Sequence, residues 1–193
     1  MKIFYLFIFL IFNSKVFAND ITKFAVEDFQ IGSKITDYFS LKFIASNKLD
    51  NYFDTFDDKN KFMVIAITEK KYIRDWDQME IYFKSSDYRI HAITAGNFYK
   101  NINQCYKDME DYENIIFSSY PSSIKSGPLT TKHYADPSNL SIYKHTDYHL
   151  DNGTIGVHCY DWSSDMTNRL NWNDNLQLQV RSNELNDYIG YTD

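Results

Sequence analysis

The sequence predicts a single α+β domain, a mostly antiparallel sheet with one main amphipathic helix packed on one face, behind a cleavable leader. Three observations carry that prediction. Short runs with alternating apolar residues recur between clusters of turn-forming residues, as in antiparallel sheets. One stretch, Asn101 to Ser118, switches to the three-and-four spacing of a helical face. After residue 18, no internal repeat and no linker divides the chain, so one core is expected over residues 19–193.

The leader is MKIFYLFIFLIFNSKVFA, residues 1–18. Lys2 supplies the basic start, Ile3 to Phe12 the apolar run, and Val16 and Ala18 the small residues before a cleavage site: a signal peptide. The apolar run is about half the roughly 20 residues needed to cross a bilayer core, and no second such run follows. The expectation is therefore a periplasmic or secreted protein with no membrane insertion after cleavage.

Of 20 basic side chains, Lys2 and Lys15 lie in the leader, against 26 acidic ones, so the remainder is more acidic than the overall charge of −6. Such a surface repels phosphate backbones unless it carries a basic patch. The nearest approach to one, Glu69 to Arg74, is followed at once by Asp75 and Asp77. Nucleic acid is excluded as a partner on this ground, leaving a small molecule, an envelope polymer or a protein. The 16 Tyr and 15 Phe accompany abundant Ile, Asn, Lys and Asp, all encoded by AT-rich codons, so genome composition accounts for them.

The elements follow in order. Ser33 is placed to cap a short helix through Tyr38, and Ser40 another carrying Leu41, Ile44 and Leu49. After the polar cluster Asp54 to Lys61, the nearly continuous apolar run Phe62 to Thr68 suits a central strand. Met79, Ile81 and Phe83 alternate within Gln78 to Lys84, and a turn at Ser85-Ser86-Asp87 returns the chain as Arg89 to Phe98, forming a hairpin. The long helix begins at Asn101 with Gln104 as a capping-box variant, and carries Ile102, Cys105, Tyr106, Met109, Tyr112, Ile116 and Phe117 on one face. Pro121 ends it. Ser122 to Asn139, with Gly127, Pro128 and Pro137, reads as a long irregular connection and a candidate rim or lid. Leu176, Leu178 and Val180 alternate as a late strand, and Ser182 caps a last helix through Ile189 closed by Gly190.

The segments IGSKITDYFS (Ile31 to Ser40), NINQCYKDME (Asn101 to Glu110) and HCYDWS (His158 to Ser163) give the chain its one family likeness. It resembles small exported proteins of AT-rich marine alphaproteobacteria of the Pelagibacter type. The resemblance implies export and no activity.

The chemistry concentrates in HTDYHLDNGTIGVHCYDW, His145 to Trp162. Asn152-Gly153 predicts a hairpin with a type I′ turn, because both residues tolerate positive φ. Counting from that turn, Asp147 faces His158, Thr146 faces Cys159 and His145 faces Tyr160. One face then collects Ile142, Tyr148, Leu150, Ile155, Val157 and Cys159, and the other His145, Asp147, His149, Asp151, His158 and Tyr160. Cys105 on the helical stripe and Cys159 on the apolar hairpin face point to one interface, and in an oxidising compartment an isolated pair there forms a disulfide.

His145, Asp147, His149, His158 and Tyr160 are the candidate ligand-binding residues. Asp147, His149 and His158 form the compact trio that could hold zinc, because imidazole nitrogens and a carboxylate suit that ion. The ordinary alternative is a solvated polar face on an edge hairpin. A base with its orienter is conceivable in Asp147 and His158, but the Gly-x-Ser-x-Gly elbow, His-Glu-x-x-His, Cys-x-x-Cys and glycine-rich phosphate loops are absent. The sequence therefore favours an exported binding or interaction module without catalysis and without a cofactor. The alternative is a metal-dependent or acid-base hydrolase centred on Asp147, His149 and His158.

Overall fold

The computed structural model describes residues 19–56 and 58–191; the leader lies outside the described residues. The chain forms one α+β domain built on a seven-stranded antiparallel sheet, with a small two-stranded sheet, β1 (Ala25–Val26) and β2 (Phe29–Gln30), near its start. The large sheet holds β3 (Phe62–Ile67), β4 (Gln78–Lys84), β5 (Ile90–Phe98), β6 (Ile124–Lys132), β7 (Ile142–Leu150), β8 (Gly153–Asp161) and β9 (Asn175–Ser182). Their order across it is β3-β4-β5-β9-β8-β7-β6. Two meanders thus meet where β9 joins β5 to β8.

Helix α2 (Ile102–Ser119) crosses one face over β8 and β9, burying Cys105, Met109 and Ile116. The strands answer with Ile81, Ile93, Leu178, Val157 and Tyr148, all fully buried in the main core. Cys105 and Cys159 are bonded across this interface, 54 residues apart in sequence. Closing a loop of that length stabilises the fold by about 4 kcal/mol on the chain-entropy model. Asn101 caps α2 by accepting from the Asn103 amide, whereas Gln104 turns away to donate to Asp108, so only half of the expected capping box forms.

On the opposite face, α4 (Asn183–Ile189) and the turns around Phe53 cover a second, smaller core of Phe53, Phe62, Val64, Ala92 and Leu185. Ser182 caps α4 and Gly190, at φ 68°, closes it as the spacing predicts. Ser40 likewise caps α1 (Leu41–Asn47). The remaining helix, α3 (Ser164–Leu170), is capped by Ser163.

Four expectations are corrected. The short helix at Ser33 is a single 3-10 turn, Ile35–Asp37, without a side-chain cap; the Ser33 hydroxyl donates to the Gln30 carbonyl instead. The apolar run Phe62–Ile67 is an edge strand, not a central one, and is apolar throughout because both its faces are covered. Ser122 to Asn139 is not an irregular loop: Ile124–Lys132 is the edge strand β6 paired along β7. Its register shifts between Ser126 and Leu129, where Gly127 and Pro128 sit, and exposure of the whole strand removes the alternation that would have marked it. Because β6 covers β7, the β7–β8 hairpin is not at the sheet edge.

The fourth correction concerns the hairpin turn. Leu150 pairs with Gly153, so Asp151 and Asn152 make the turn, and neither Asn152 nor Gly153 adopts positive φ. Glycine is required at 153 for closeness instead: a Cβ there would lie 2.3 Å from the Arg181 carbonyl oxygen and 2.4 Å from Ile21 Cδ1. The Asn152 side chain accepts from the Ile21 amide and donates to Asp20, fastening the start of the described chain to the turn. The resulting register differs from the expected one by two residues, an even shift, so every side chain keeps its face while changing its partner.

Candidate functional site

The sheet face opposite α2 carries the polar residues in rows set by the pairing. One row runs Thr94, Gln179, Gly156, Asp147; the next runs Gly96, Gln177, His158, His145; on the other side lie Ala92, Arg181, Thr154, His149. Asp147 therefore faces Gly156, and His158 faces His145; the expected pairing of Asp147 with His158 does not occur.

Gly156 nevertheless brings those two side chains together. A Cβ at 156 would stand 2.6 Å from Asp147 Oδ1 and 2.5 Å from His158 Nε2, so only the missing side chain lets the carboxylate reach over β8. His158 Nε2 lies 3.1 Å from Asp147 Oδ1, and His145 Nδ1 lies 3.2 Å from Asp147 Oδ2. The second nitrogen of His158, Nδ1, is 3.0 Å from the Tyr143 hydroxyl. A neutral imidazole fits this pattern, with Nε2–H donating to the carboxylate and Nδ1 accepting from Tyr143. Arg181 Nη2 is 4.0 Å from Asp147 Oδ1.

The His158–Asp147 pair is shut away from water, at 2% and 3% exposure, while His145 is half-buried at its edge. It looks away from α2 as expected, but it is not the open face the sequence suggested. Burial alone raises the Asp147 pKa, yet His158, His145 and Arg181 overcome it and hold the carboxyl well below the usual range. Burial pushes His158 down, against the pull of Asp147 and with help from Arg181. Tyr143 is pushed up by burial first and then by Tyr160 and Asp147, so its proton stays on.

Of the residues singled out from sequence, His145, Asp147 and His158 come together. His149 does not: it stands opposite Thr154, on the row beyond Asp147 from the other two histidines, and among the described residues the metal-binding trio is His145, Asp147 and His158. The reason is the two-residue slide of the hairpin, which exchanges His149 for His145 as the neighbour of His158. Tyr160 lies beside Tyr143 at the next row, 4.9 Å between ring centroids, in an aromatic group with His133 and Trp162. His91 is a strand histidine held by Ser182, 2.9 Å from its hydroxyl.

A feature that sequence reasoning missed lies beside this cluster. A cavity of about 380 Å³ opens over β4, β5 and β9. Its floor carries Glu80, Thr94, Gln177, Gln179 and Arg181, and one end is walled by Tyr52, Phe53, Phe56 and Tyr82. The ring planes of Tyr52 and Tyr82 stand at 81°, with Glu80 accepting from the Tyr82 hydroxyl at 2.6 Å. Alternation in QMEIYFK and LQLQVR was the available signal, because Glu80, Tyr82, Gln177, Gln179 and Arg181 occupy the non-core positions of both strands.

Among the described residues no helix is long and apolar enough to cross a membrane. Compared with models of known families, with curated proteins and with solved structures, the chain matches none.

Proposed function

We propose that the chain is an exported, non-catalytic binding module that holds a small polar ligand in the cavity over β4, β5 and β9. One observation carries this reading. The cavity combines an aromatic wall with a floor of convergent amide, hydroxyl and charged groups, within the size range of small-molecule sites. The buried His158–Asp147 pair, by contrast, spends its hydrogen bonds within itself, on His145 and on Tyr143. Export rests on the leader sequence and agrees with the disulfide, since such bonds persist in oxidising compartments.

Thermal melting of the mature protein tests the reading, using a defined panel of amino acids, methylated amines, dicarboxylates and hexoses. At least one class should raise the melting temperature of the wild type and have no effect on a folded Thr94→Trp variant, whose indole fills the cavity. Stabilisation that persists in Thr94→Trp, or none by any member of the panel, would overturn it.

A second reading, a zinc-dependent hydrolase, is favoured by one observation: ligand atoms of His145, Asp147 and His158 all lie within 4.8 Å of one another. Donor types and spacing fit zinc, and Tyr143 on the far nitrogen of His158 is the kind of partner that orients a metal-bound imidazole. Arg181, 4.0 Å from the same carboxylate, opposes a dication there. Elemental analysis of protein purified without chelator separates the two: stoichiometric zinc that disappears in His158→Ala supports the second reading.

A further inference from the structure

We infer that the ligand of the β4-β5-β9 cavity is a zwitterion with a methylated ammonium group at one end and a carboxylate at the other. This rests on the binding reading above and specifies its chemistry.

Two opposite charges, Glu80 and Arg181, line the cavity. Glu80 on β4 aligns through Thr94 with Gln179 on β9, so Arg181 stands two strands over and two residues along from it, about 12 Å between backbones. Among the described residues, no lysine, arginine or histidine pairs with Glu80; its recorded partners are the hydroxyls of Tyr82 at 2.6 Å and Tyr52 at 3.4 Å. Arg181 is underused in the complementary sense. Its Nη1 donates to Gln179 at 2.9 Å, while Nε and Nη2 are buried without a hydrogen-bond partner, the Asp147 carboxylate standing off at 4.0 Å. A guanidinium with donors to spare gains most from an oxygen anion, and buried unmade hydrogen bonds are costly. One cavity thus has a negative pole without a cationic partner among the described residues and a positive pole whose carboxylate neighbour, Asp147, leaves two guanidinium nitrogens without a hydrogen bond.

The negative pole is more specific than a carboxylate alone. Tyr52 and Tyr82 stand on it, and with Phe53 and Phe56 they line the cavity, successive ring planes at 61° to 81° to one another making the corner of a box. A primary ammonium carries three N–H donors and needs three acceptors, whereas here the two tyrosine hydroxyls, 2.6 Å apart, are already engaged with each other and with Glu80. A trimethylammonium group donates no hydrogen bond and is attracted by ring faces, so it suits the box better. Between the poles, Thr94, Gln177 and Gln179 offer hydroxyl and amide groups to a short polar chain.

Isothermal titration of the mature chain with γ-butyrobetaine and carnitine tests this, with γ-aminobutyrate, choline and butyrate as partial analogues. The two trimethylammonium carboxylates should bind at least tenfold more tightly than each analogue. Tyr52→Ala, at an exposed position, and Glu80→Gln, at a half-buried one, both checked for folding by circular dichroism, should each weaken binding at least tenfold. Equal binding of γ-aminobutyrate would remove the methylated group from the assignment, and butyrate binding as well as γ-butyrobetaine would remove the cation; either overturns the inference and leaves the cavity as the binding site. Tight binding unchanged in both variants would place the ligand elsewhere and overturn the cavity reading as well. No binding of either betaine overturns the inference alone, since the melting panel decides the cavity independently.

Discussion

Over β7 and β8, Asp147 is gripped by His145 and His158, and His158 in turn by Tyr143, so the polar atoms of that region largely answer one another. Across the same face, Glu80 has no cationic partner among the described residues, and Arg181 keeps two nitrogens without a hydrogen bond beside a cavity. Both regions contain buried or half-buried charge on one sheet, so charge alone does not mark a site. What separates them is satisfaction: a closed hydrogen-bond network rigidifies a fold, and an incomplete one next to open volume is a place for a ligand.

The contrast predicts that substitutions in the first region cost stability and those in the second cost binding. Asp147→Ala should have the largest effect, about 3–5 kcal/mol in denaturant unfolding, because Arg181 and two imidazoles lose their buried counterpart. A value below about 1 kcal/mol would show that the cluster does not hold the hairpin. Gly156→Ala should follow at about 1–3 kcal/mol, since the new methyl must push Asp147 and His158 apart. Unfolding of wild type and variant at one pH measures it.

Acid should act through the same region. An unfolded histidine gains its proton below about pH 6.5, whereas burial keeps folded His158 neutral to lower pH. In that window the unfolded state binds more protons, so stability falls as pH drops from 6.5 toward the folded value, by at most about 1.4 kcal/mol per pH unit from this residue. Unfolding curves between pH 7 and 5 in chelator should show that slope, reduced in His158→Gln. Asp147, its carboxyl depressed, contributes stability that persists through this range and is lost only in strong acid. The smallest effect is expected in the cavity: Gln177→Ala should change unfolding by no more than about 0.5 kcal/mol. A loss as large as that of Gly156→Ala would erase the distinction between the two regions.

The hairpin shows what was legible. Sorting Tyr148, Ile155, Val157 and Cys159 from His145, Asp147 and His158 needed only the period of a strand, and it survives an even register shift, which is why the disulfide was anticipated correctly. The turn itself was not legible, because Gly153 answers to Arg181 and Ile21, residues brought there by the fold and not by neighbouring sequence. From that one misplacement came the choice of His149 over His145. The edge strand β6 escaped because both of its faces are exposed and it carries a proline. The cavity escaped for a different reason: Phe56 lies in the stretch that reads as a polar cluster, Tyr52 and Phe53 just before it, and their meeting with Arg181 requires β9 to lie beside β5.

The fastening of Asp20 and Ile21 to Asn152 has its counterpart at the other terminus, where the Tyr191 ring stacks 4.0 Å from the Arg181 guanidinium. Both ends of the described chain are thus working parts, one bracing a turn and one roofing a cation beside the cavity. A purification handle fused directly to either end would crowd these contacts, and a spacer ahead of Asn19 or beyond residue 193 is the practical remedy.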